Sequence, residues 1–309
     1  MAEMKTIIIT GANSGLGFAT AEKIAEQTED YQVILACRNK EKAEKAKNDL
    51  IERTGNRNII DLDLDTSSIK SVRNFVKQYQ ELGLPQIDGL ICNAGISGSH
   101  TGLTSDGFDI IFETNHLGHY LLTTLLLPCM SESARIMVIS SDMHNPPGRQ
   151  LSWTGTPALA KPDEKLADKG MRYSYSKLCN LYFTYELAHR LEYIESTITV
   201  NAFNPGYMTD TNFMPNIPVS FFVKLMDRNG SLSDSSTALA KLMTENAYGN
   251  ISGNYYDRST EAIEFSELSY HKENALELWN MSAVYTKLVR DETLPKLLNN
   301  PNFYGWGPS

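Results

Sequence analysis

The stretch KTIIITGANSGLG, residues 5–17, decides the fold that the sequence predicts. Ile7 to Ile9 form a β-branched run that is typical of a strand buried on both faces, and a helical pattern begins at Phe18. Between them, glycines let the backbone approach a pyrophosphate, toward which the unpaired N–H groups of a first helical turn point. The pattern predicts a dinucleotide-binding strand–turn–helix unit, with an ordinary glycine turn as the alternative. We expect cofactor contacts here from Gly11, Asn13, Ser14, Gly15, Leu16 and Gly17.

Apolar strand-like runs alternate with helical runs along most of the chain. The further predicted strands are 32–37, 59–65, 87–94, 134–140 and 198–203, and the predicted helices are 18–27, 40–53, 68–81, 106–130 and 171–192. Repeated β-α-β units predict an α/β fold in which a doubly wound parallel sheet of about seven strands carries helices on both faces. No linker rich in Gly, Ser or Pro divides the chain, so we expect residues 1–309 to form one domain.

Composition narrows the functional classes. A hydrophobic content of 41% and a charged content of 21% are those of a soluble globular protein, and the net charge of −9 argues against nucleic-acid binding. The most apolar stretch, 121–127, is too short to cross a bilayer, and the first strand leaves no room for a signal peptide. The four scattered cysteines and the histidines have no metal-ligand spacing, so we expect reduced thiols, a cytoplasmic protein and no metal.

Residues that directly follow the strands are candidates for cofactor contacts, because ligands of parallel sheets bind at the carboxyl ends of the strands. Arg38 follows the second strand, where an adenosine ribose is expected, and its guanidinium would pair with a 2′-phosphate. The sequence therefore favours NADP(H) over NAD(H), with a solvated arginine as the alternative. Asp63 is a candidate acceptor for the adenine amino group. The other cofactor candidates at these strand ends are Leu64, Asn93, Ala94 and Gly95.

The segment Tyr173-Ser-Tyr-Ser-Lys177 is the sharpest catalytic signal. Tyr173 and Lys177 are four residues apart and so lie on one face of a helix, where the ammonium is expected to lower the pKa of the phenol. Such a tyrosine could exchange a proton with a substrate oxygen while hydride moves at the adjacent carbon. Ser141 is placed to hydrogen-bond that oxygen, and Asn115 to hold a water that relays protons to Lys177. The alternative is an ordinary pair on a helix surface.

Six motifs, in this order, resemble the short-chain dehydrogenase/reductase family over about residues 5 to 210. They are T-G-A-N-S-G-L-G, N-A-G, T-N-H-L-G-H, I-S-S, Y-x-x-x-K and N-P-G. The resemblance implies a Rossmann fold in which Ser141, Tyr173 and Lys177 are catalytic and Asn115 completes a tetrad. It also implies that the second serine of the Ser140–Ser141 pair, rather than the first, is the catalytic one. The expected cofactor contacts that this resemblance adds are Tyr173, Lys177, Pro205, Gly206 and Thr209.

Within that family, further segments look like light-dependent protochlorophyllide reductases and their retinol-dehydrogenase-like relatives. These segments are ACRNKEKA (36–43), SDGF (105–108), TNHLGH (114–119), SKLCN (176–180), PGYMTDT (205–211) and the late Leu278-Trp279 helix. Two features depart from the pigment enzymes. Tyr207 stands where they carry a cysteine, and the 31 residues between Ser141 and Tyr173 are fewer than their insertion needs. Reduction of an apolar carbonyl, or the reverse oxidation, is therefore favoured over reduction of a C=C bond, and a non-catalytic nucleotide-binding scaffold ranks last.

The region after the sixth predicted strand is expected to carry the substrate end of the site. Methionines and phenylalanines bracketed by prolines suit a lid over an apolar substrate at about 211–230, with a packed helix or a homo-oligomer contact as the alternative. An aromatic C-terminal extension follows at about 259–309. The candidate substrate-lining residues are His144, Trp153, Tyr207 and Phe213.

Overall fold

The structure is a computed structural model that describes residues 4–28, 30–97, 100–161, 169–207 and 230–299. Its centre is one sheet of eight strands in the order β3-β2-β1-β4-β5-β6-β7-β8. All neighbouring strands are parallel except β7 and β8, which are antiparallel. The strands are β1 (Lys5–Thr10), β2 (Tyr31–Cys37), β3 (Ile59–Asp63), β4 (Ile87–Cys92), β5 (Met130–Ile139), β6 (Thr199–Asn204), β7 (Tyr255–Asp257) and β8 (Ala262–Ile263).

Helices cover both faces of this sheet. In chain order they are α1 (Gly15–Ala25), α2 (Lys40–Thr54), α3 (Ile69–Glu81), α4 (the consecutive segments Ile110–Phe112, Glu113–Leu117 and Gly118–Leu126), α5 (Thr156–Ala160), α6 (Lys169–Tyr193), α7 (Leu232–Thr244) and α8 (Lys272–Thr286). The side chains of β1 alternate between the two layers: Ile8 packs with α3, α4 and α6, whereas Ile7 and Ile9 pack with α1, α2 and α7. The doubly wound α/β prediction is therefore confirmed.

The topology places the switch point beside β1. From β1 the chain winds outward through β2 and β3 on one side, and β4 begins the other half of the sheet on the opposite side. The carboxyl ends of β1 and β4 therefore lie next to each other, with loops that leave in opposite directions. In such sheets this crevice is where a ligand binds.

The predicted helix over 106–130 is shorter and less regular in the structure. Its start is set by Asp109, whose Oδ1 accepts 3.0 Å hydrogen bonds from the N–H groups of Ile111 and Phe112. Residues Glu113–Leu117 form a π-helical turn, closed by a bond from the Gly118 N–H to the Glu113 carbonyl. Met130 already belongs to β5, which starts four residues before the predicted Ala134. Such a π-turn inside an α-helix often marks a functional site.

Part of the predicted C-terminal extension packs against the body of the protein. Trp279 of α8 contacts Tyr120 edge-on, with ring centroids 5.0 Å apart, and stacks on Phe183. Arg190 lies 4.5 Å over the Trp279 ring and donates 2.7 Å bonds to the carbonyls of Leu297 and Asn299. The sequence analysis expected about seven strands and placed six of them; among the described residues, β7 and the antiparallel β8 are the strands that it did not place. The predicted lid falls almost entirely outside the described residues.

Candidate active site

A cavity of about 670 Å³ opens at the carboxyl edge of the sheet. It runs from the end of β2, across the ends of β1 and β4, to α6. Most residues predicted for cofactor and catalysis line it: Gly11, Asn13, Ser14, Gly15, Leu16, Arg38, Leu64, Asn93, Ala94, Gly95, Ser141, Tyr173, Lys177, Pro205 and Gly206. Segments separated by more than 190 residues in sequence thus share one cavity wall.

The glycines after β1 have distinct physical roles. Gly11 and Gly15 adopt φ angles of +66° and +55°, which residues other than glycine rarely adopt. Gly17 lies outside the cavity wall, and a Cβ there would stand 2.6 Å from Nδ2 of Asn93 and 2.8 Å from the Gly11 carbonyl. Gly11 and Gly15 therefore shape the turn, whereas Gly17 allows α1 to pack against the Asn93 loop.

The adenosine end of the cavity differs from the sequence-based expectation. Asp63 is exposed at the end of β3 and does not line the cavity, whereas Asp65 does. Nη1 of Arg38 lies 3.9 Å from Oδ2 of Asp65, and the Arg38 side chain is 65% exposed. Lys42, in the first turn of α2, adds a second cation to this wall. An ion pair this open contributes little to stability and leaves the guanidinium available to other anions.

At the opposite end of the cavity, β5 and α6 bring the catalytic candidates together. The hydroxyl of Tyr173 hydrogen-bonds the side chain of Ser141. Nζ of Lys177 lies 5.5 Å from the centre of the Tyr173 ring. The neighbouring Ser140 is instead turned into the protein, where its hydroxyl donates a 2.8 Å bond to the Lys177 carbonyl. The second serine of the pair is thus the one that contacts Tyr173.

Burial dominates the electrostatics of these groups. It raises the pKa of Tyr173 well above its usual value; the Ser141 hydrogen bond lowers this pKa, and the Asp142 carboxylate raises it further. Burial also lowers the pKa of Lys177 to about 8. The pKa of Tyr173 is therefore raised rather than lowered as expected from Lys177, because the loss of hydration on burial is the largest cause.

Asn115 lies behind the cavity wall and acts as an anchor. Its Oδ1 accepts a 2.8 Å bond from the Ile96 N–H, and its Nδ2 donates to the Ile96 carbonyl at 3.0 Å and to Oγ of Ser176 at 2.9 Å. Ser176 in turn donates to the Tyr173 carbonyl at 2.7 Å. The amide of Asn115 therefore ties the loop after β4 to α6, and its backbone carbonyl contacts Nδ1 of His119 at 3.2 Å, so the role of Asn115 in a water relay stays a prediction.

The candidate substrate residues divide into three groups. Tyr207 lines the cavity. His144 and Trp153 do not: the His144 ring packs edge-on against Tyr255, and the Trp153 indole donates a 2.6 Å bond to Glu277 of α8. Their roles as substrate contacts remain predictions. Phe213 falls outside the described residues, as does Thr209, which was predicted as a cofactor contact.

The structure adds cavity-lining residues that the sequence analysis missed. They are Ala36, Cys37, Asn39, Lys42, Asp65, Thr66, Ile96, Thr114, Ile139, Ser140, Asp142, Met143 and Leu232. Most lie within one or two residues of a motif, and this adjacency was the available signal for them. Leu232 had no such signal, because it reaches the cavity from α7 after the lid region.

Within the described ranges, no group of three or more His, Cys, Asp or Glu residues could hold a metal ion. Over the same part of the chain, none of the helices has the length and apolar character that a membrane span requires.

Comparisons with known proteins agree with this geometry. The family model for short chain dehydrogenases matches residues 5–153. Human retinol dehydrogenase 14 is 33% identical over 93% of this chain and 87% of the relative, and mouse retinol dehydrogenase 13 is 35% identical over 90% and 83%. A crystal structure of an uncharacterized protein from Mycobacterium paratuberculosis superposes with a TM-score of 0.72 at 29% identity, covering 92% of this chain and 94% of that one. The chain therefore belongs to the short-chain dehydrogenase/reductase family, whose members are oxidoreductases that bind nicotinamide cofactors.

Proposed function

We propose that this protein is an NADP(H)-dependent oxidoreductase that transfers hydride between the nicotinamide and an apolar carbonyl or alcohol. The observation that carries the proposal is the contact between the hydroxyls of Ser141 and Tyr173 in the cavity wall, with the Lys177 ammonium 5.5 Å from the Tyr173 ring. Two adjacent hydroxyls can bind a single substrate oxygen, and only one of them needs to exchange a proton with it.

The residues at the β1 turn fit a dinucleotide. Gly11 and Gly15 supply the positive φ angles that the turn requires, and the N-terminus of α1 offers N–H groups to a pyrophosphate. Asn93, Ala94 and Gly95 line the wall where the adjoining ribose would lie. A bound nicotinamide cofactor supplies or accepts the hydride.

The charges at the adenosine end support NADP(H). Arg38 and Lys42 both line the cavity beyond β2, and a 2′-phosphate could pair with the two cations. Asp65, rather than Asp63, lies where a carboxylate could accept from an adenine amino group. The nearby Asp65 also explains why the site is not uniformly positive.

In this proposal Tyr173 holds the proton that the substrate oxygen gains or loses. Its high pKa favours the protonated phenol, which is the form needed to reduce a carbonyl. Ser141 donates to the same oxygen, and Lys177 supplies the positive charge that a phenolate needs in the reverse direction. Asn115 holds the loop after β4 against α6, so that these groups keep their relative positions.

An apolar substrate is supported by the wall next to these residues. Ile96, Met143 and Tyr207 line this wall. Ile96 is held by Asn115, Met143 follows Ser141 by two residues, and Tyr207 directly follows Pro205-Gly206. The names of two relatives, retinol dehydrogenases 13 and 14, refer to an apolar alcohol.

All four cysteines are free thiols, which supports the cytoplasmic location expected from the sequence.

The test is turnover of a panel of apolar aldehydes, ketones and alcohols, followed through the absorbance of NADPH. Tyr173→Phe should lose nearly all activity with a substrate that the native protein turns over. Tyr175→Phe is the matched control, because Tyr175 is a buried phenol on the same helix whose hydroxyl donates to the Ser152 carbonyl. Equal activity in both variants would defeat the assignment of Tyr173. Turnover lost only in Tyr173→Phe would exclude a non-catalytic scaffold.

A further inference from the structure

The segment Thr114–His119 carries two buried histidines with different partners. Nε2 of His116 lies 3.0 Å from Oγ of Ser282 on α8, so this ring faces the C-terminal extension. The His119 ring faces the cofactor side: its Nδ1 lies 3.2 Å from the Asn115 carbonyl oxygen and its Nε2 lies 2.9 Å from Oγ1 of Thr10. Only His119 bridges two elements that the proposed site uses.

The partners of His119 define its tautomer. A carbonyl oxygen only accepts hydrogen bonds, so Nδ1 must carry the proton that is donated to Asn115. Burial lowers the pKa of His119 to about 4, so the ring is neutral and its Nε2 is an acceptor. The hydroxyl of Thr10 is therefore the donor in its contact with His119.

This donation directs both lone pairs of Thr10 toward the loop after β4. Oγ1 of Thr10 accepts a 2.9 Å bond from the Asn93 N–H and a 2.8 Å bond from the Ala94 N–H. One donated and two accepted bonds use the full capacity of a hydroxyl. Without an acceptor at Nε2, the Thr10 hydroxyl would lose its 2.9 Å partner and keep the more distant Ile91 carbonyl at 3.4 Å as an acceptor.

Two further contacts keep α4 in the position that this arrangement requires. A Cβ at Gly118 would overlap the Thr66 carbonyl, so glycine lets the backbone of α4 pack directly on the loop after β3. Thr10 holds one end of the loop after β4 at Asn93 and Ala94. The Asn115 amide holds the other end of this loop at Ile96. The loop is therefore clamped at both ends from two adjacent elements.

We propose that His119 is a positioning residue: its Nε2 accepts a hydrogen bond from the Thr10 hydroxyl and so holds the Asn93–Gly95 loop in its cofactor-binding form, while the Asn115 carbonyl keeps the proton on Nδ1. The inference rests on the proposed function only in treating this loop as a cofactor contact. His119 acts through Thr10 and Asn115, and it does not line the cavity.

Two substitutions separate the two contacts. His119→Asn can still donate to the Asn115 carbonyl but is too short to reach Thr10, whereas His119→Gln can accept from Thr10 but has no group at the Nδ1 position. Loss of a buried hydrogen bond corresponds to about a tenfold change in an equilibrium constant. We therefore expect His119→Asn to raise the Kd of NADPH about tenfold and to speed amide hydrogen exchange at Asn93 and Ala94. His119→Gln should stay within about twofold of the native protein in both measurements.

His116→Asn is the matched control, because it removes a buried imidazole and its contact one turn away. It should lower the melting temperature without changing NADPH affinity or exchange at Asn93 and Ala94. The proposal is overturned if His119→Asn leaves affinity and exchange unchanged, or if all three variants weaken binding in proportion to their loss of stability.

The Thr10 side of the pair provides the test if His119→Asn does not fold. Thr10→Val should weaken NADPH binding and speed loop exchange, whereas Thr10→Ser, which keeps the hydroxyl, should do neither; equal behaviour of the two variants overturns the proposal. Amide exchange needs neither cofactor nor substrate, and NADPH titration needs no substrate. If the protein binds NADPH but turns over no carbonyl or alcohol, the proposed function fails, whereas NADPH affinity and amide exchange still test the role of His119.

Discussion

Nζ of Lys177 donates a 3.1 Å hydrogen bond to the backbone carbonyl of Ile139, the last residue of β5. The same carbonyl accepts a 2.9 Å bond from Nδ2 of Asn180, one turn further along α6. These two bonds fix α6 against the end of β5 and hold the ammonium near the Tyr173 ring. The position of the positive charge is thus set by the backbone of the neighbouring strand rather than by Tyr173 itself.

Lys177→Met should lower kcat/KM by at least about a hundredfold and shift the pH–rate profile to higher pH. The pKa of Lys177 is about 8, so its charge is present at pH 7 and lost as the pH rises above 8. Below that pH the cation favours the phenolate of Tyr173, so the variant needs a higher pH to form it. The measurement is kcat/KM between about pH 6 and pH 10. Lys23→Met on α1 is the control, and an unchanged profile at near-native rate would argue against Tyr173 as the proton carrier.

Asp142→Asn should shift the same profile in the opposite direction. The Asp142 carboxylate raises the pKa of Tyr173, because a negative charge nearby disfavours the phenolate. Removing the charge lowers that pKa, and we expect a shift of up to about one pH unit toward lower pH. Asp291→Asn removes an equal charge at an exposed residue of the C-terminal extension that does not line the cavity. Identical profiles for both variants would show that Asp142 does not act on Tyr173.

Arg38→Asp should weaken NADPH binding far more than NADH binding. The substitution replaces an ion pair with repulsion toward the 2′-phosphate, for which we expect at least about a hundredfold loss of NADPH affinity. Lys42→Glu should show the same preference with a smaller loss. The measurement is the ratio of the two cofactor Kd values, with exposed Arg290→Asp as the control. Equal losses for both cofactors would remove the assignment of NADP(H).

Glu113→Gln should stabilise the protein above neutral pH. Glu113 is fully buried and receives a hydrogen bond from Thr104, and burial raises its pKa to about 8. A carboxyl with a raised folded-state pKa favours folding at pH values below its unfolded-state pKa, and this contribution is lost as the pH rises through 8. The loss is at most about 1.4 kcal/mol per pH unit.

Glutamine keeps an acceptor for Thr104 but cannot ionise, so the variant should lack this loss. Denaturant unfolding at several pH values between about 5 and 9 would measure the difference. A constant stability difference between the native protein and the variant over this range would contradict the raised pKa of Glu113.

We expect no light-dependent turnover of protochlorophyllide. Tyr207 lines the cavity where the pigment enzymes carry a cysteine, and a bulky phenol both fills space and removes the contact of a thiol with the macrocycle. Illumination of the protein with NADPH and the pigment, beside an active protochlorophyllide reductase as the control, decides the matter through the red-shifted product absorbance. Product formation would replace the carbonyl assignment and leave the fold and the family unaffected.

The sequence by itself determined the glycine turn, the doubly wound α/β fold and the pairing of Tyr173 with Lys177. Each of these follows from spacing along the chain. The glycines lie between a strand pattern and a helix pattern, apolar residues repeat with the period of a strand or of a helix, and Tyr173 and Lys177 are one helical turn apart. The strand-end residues that line the cavity were predicted because the carboxyl ends of parallel strands must meet, whereas Pro205 and Gly206 were implied by the family resemblance.

Only the tertiary structure decided how these residues are held and charged. It places Asp65 rather than Asp63 in the cavity, commits the Asn115 amide to Ile96 and Ser176, and joins His119 to Thr10 across 109 residues of sequence. It also raises the pKa of Tyr173 through burial. Burial and contacts between distant segments depend on how the elements pack, and no local spacing in the sequence encodes them.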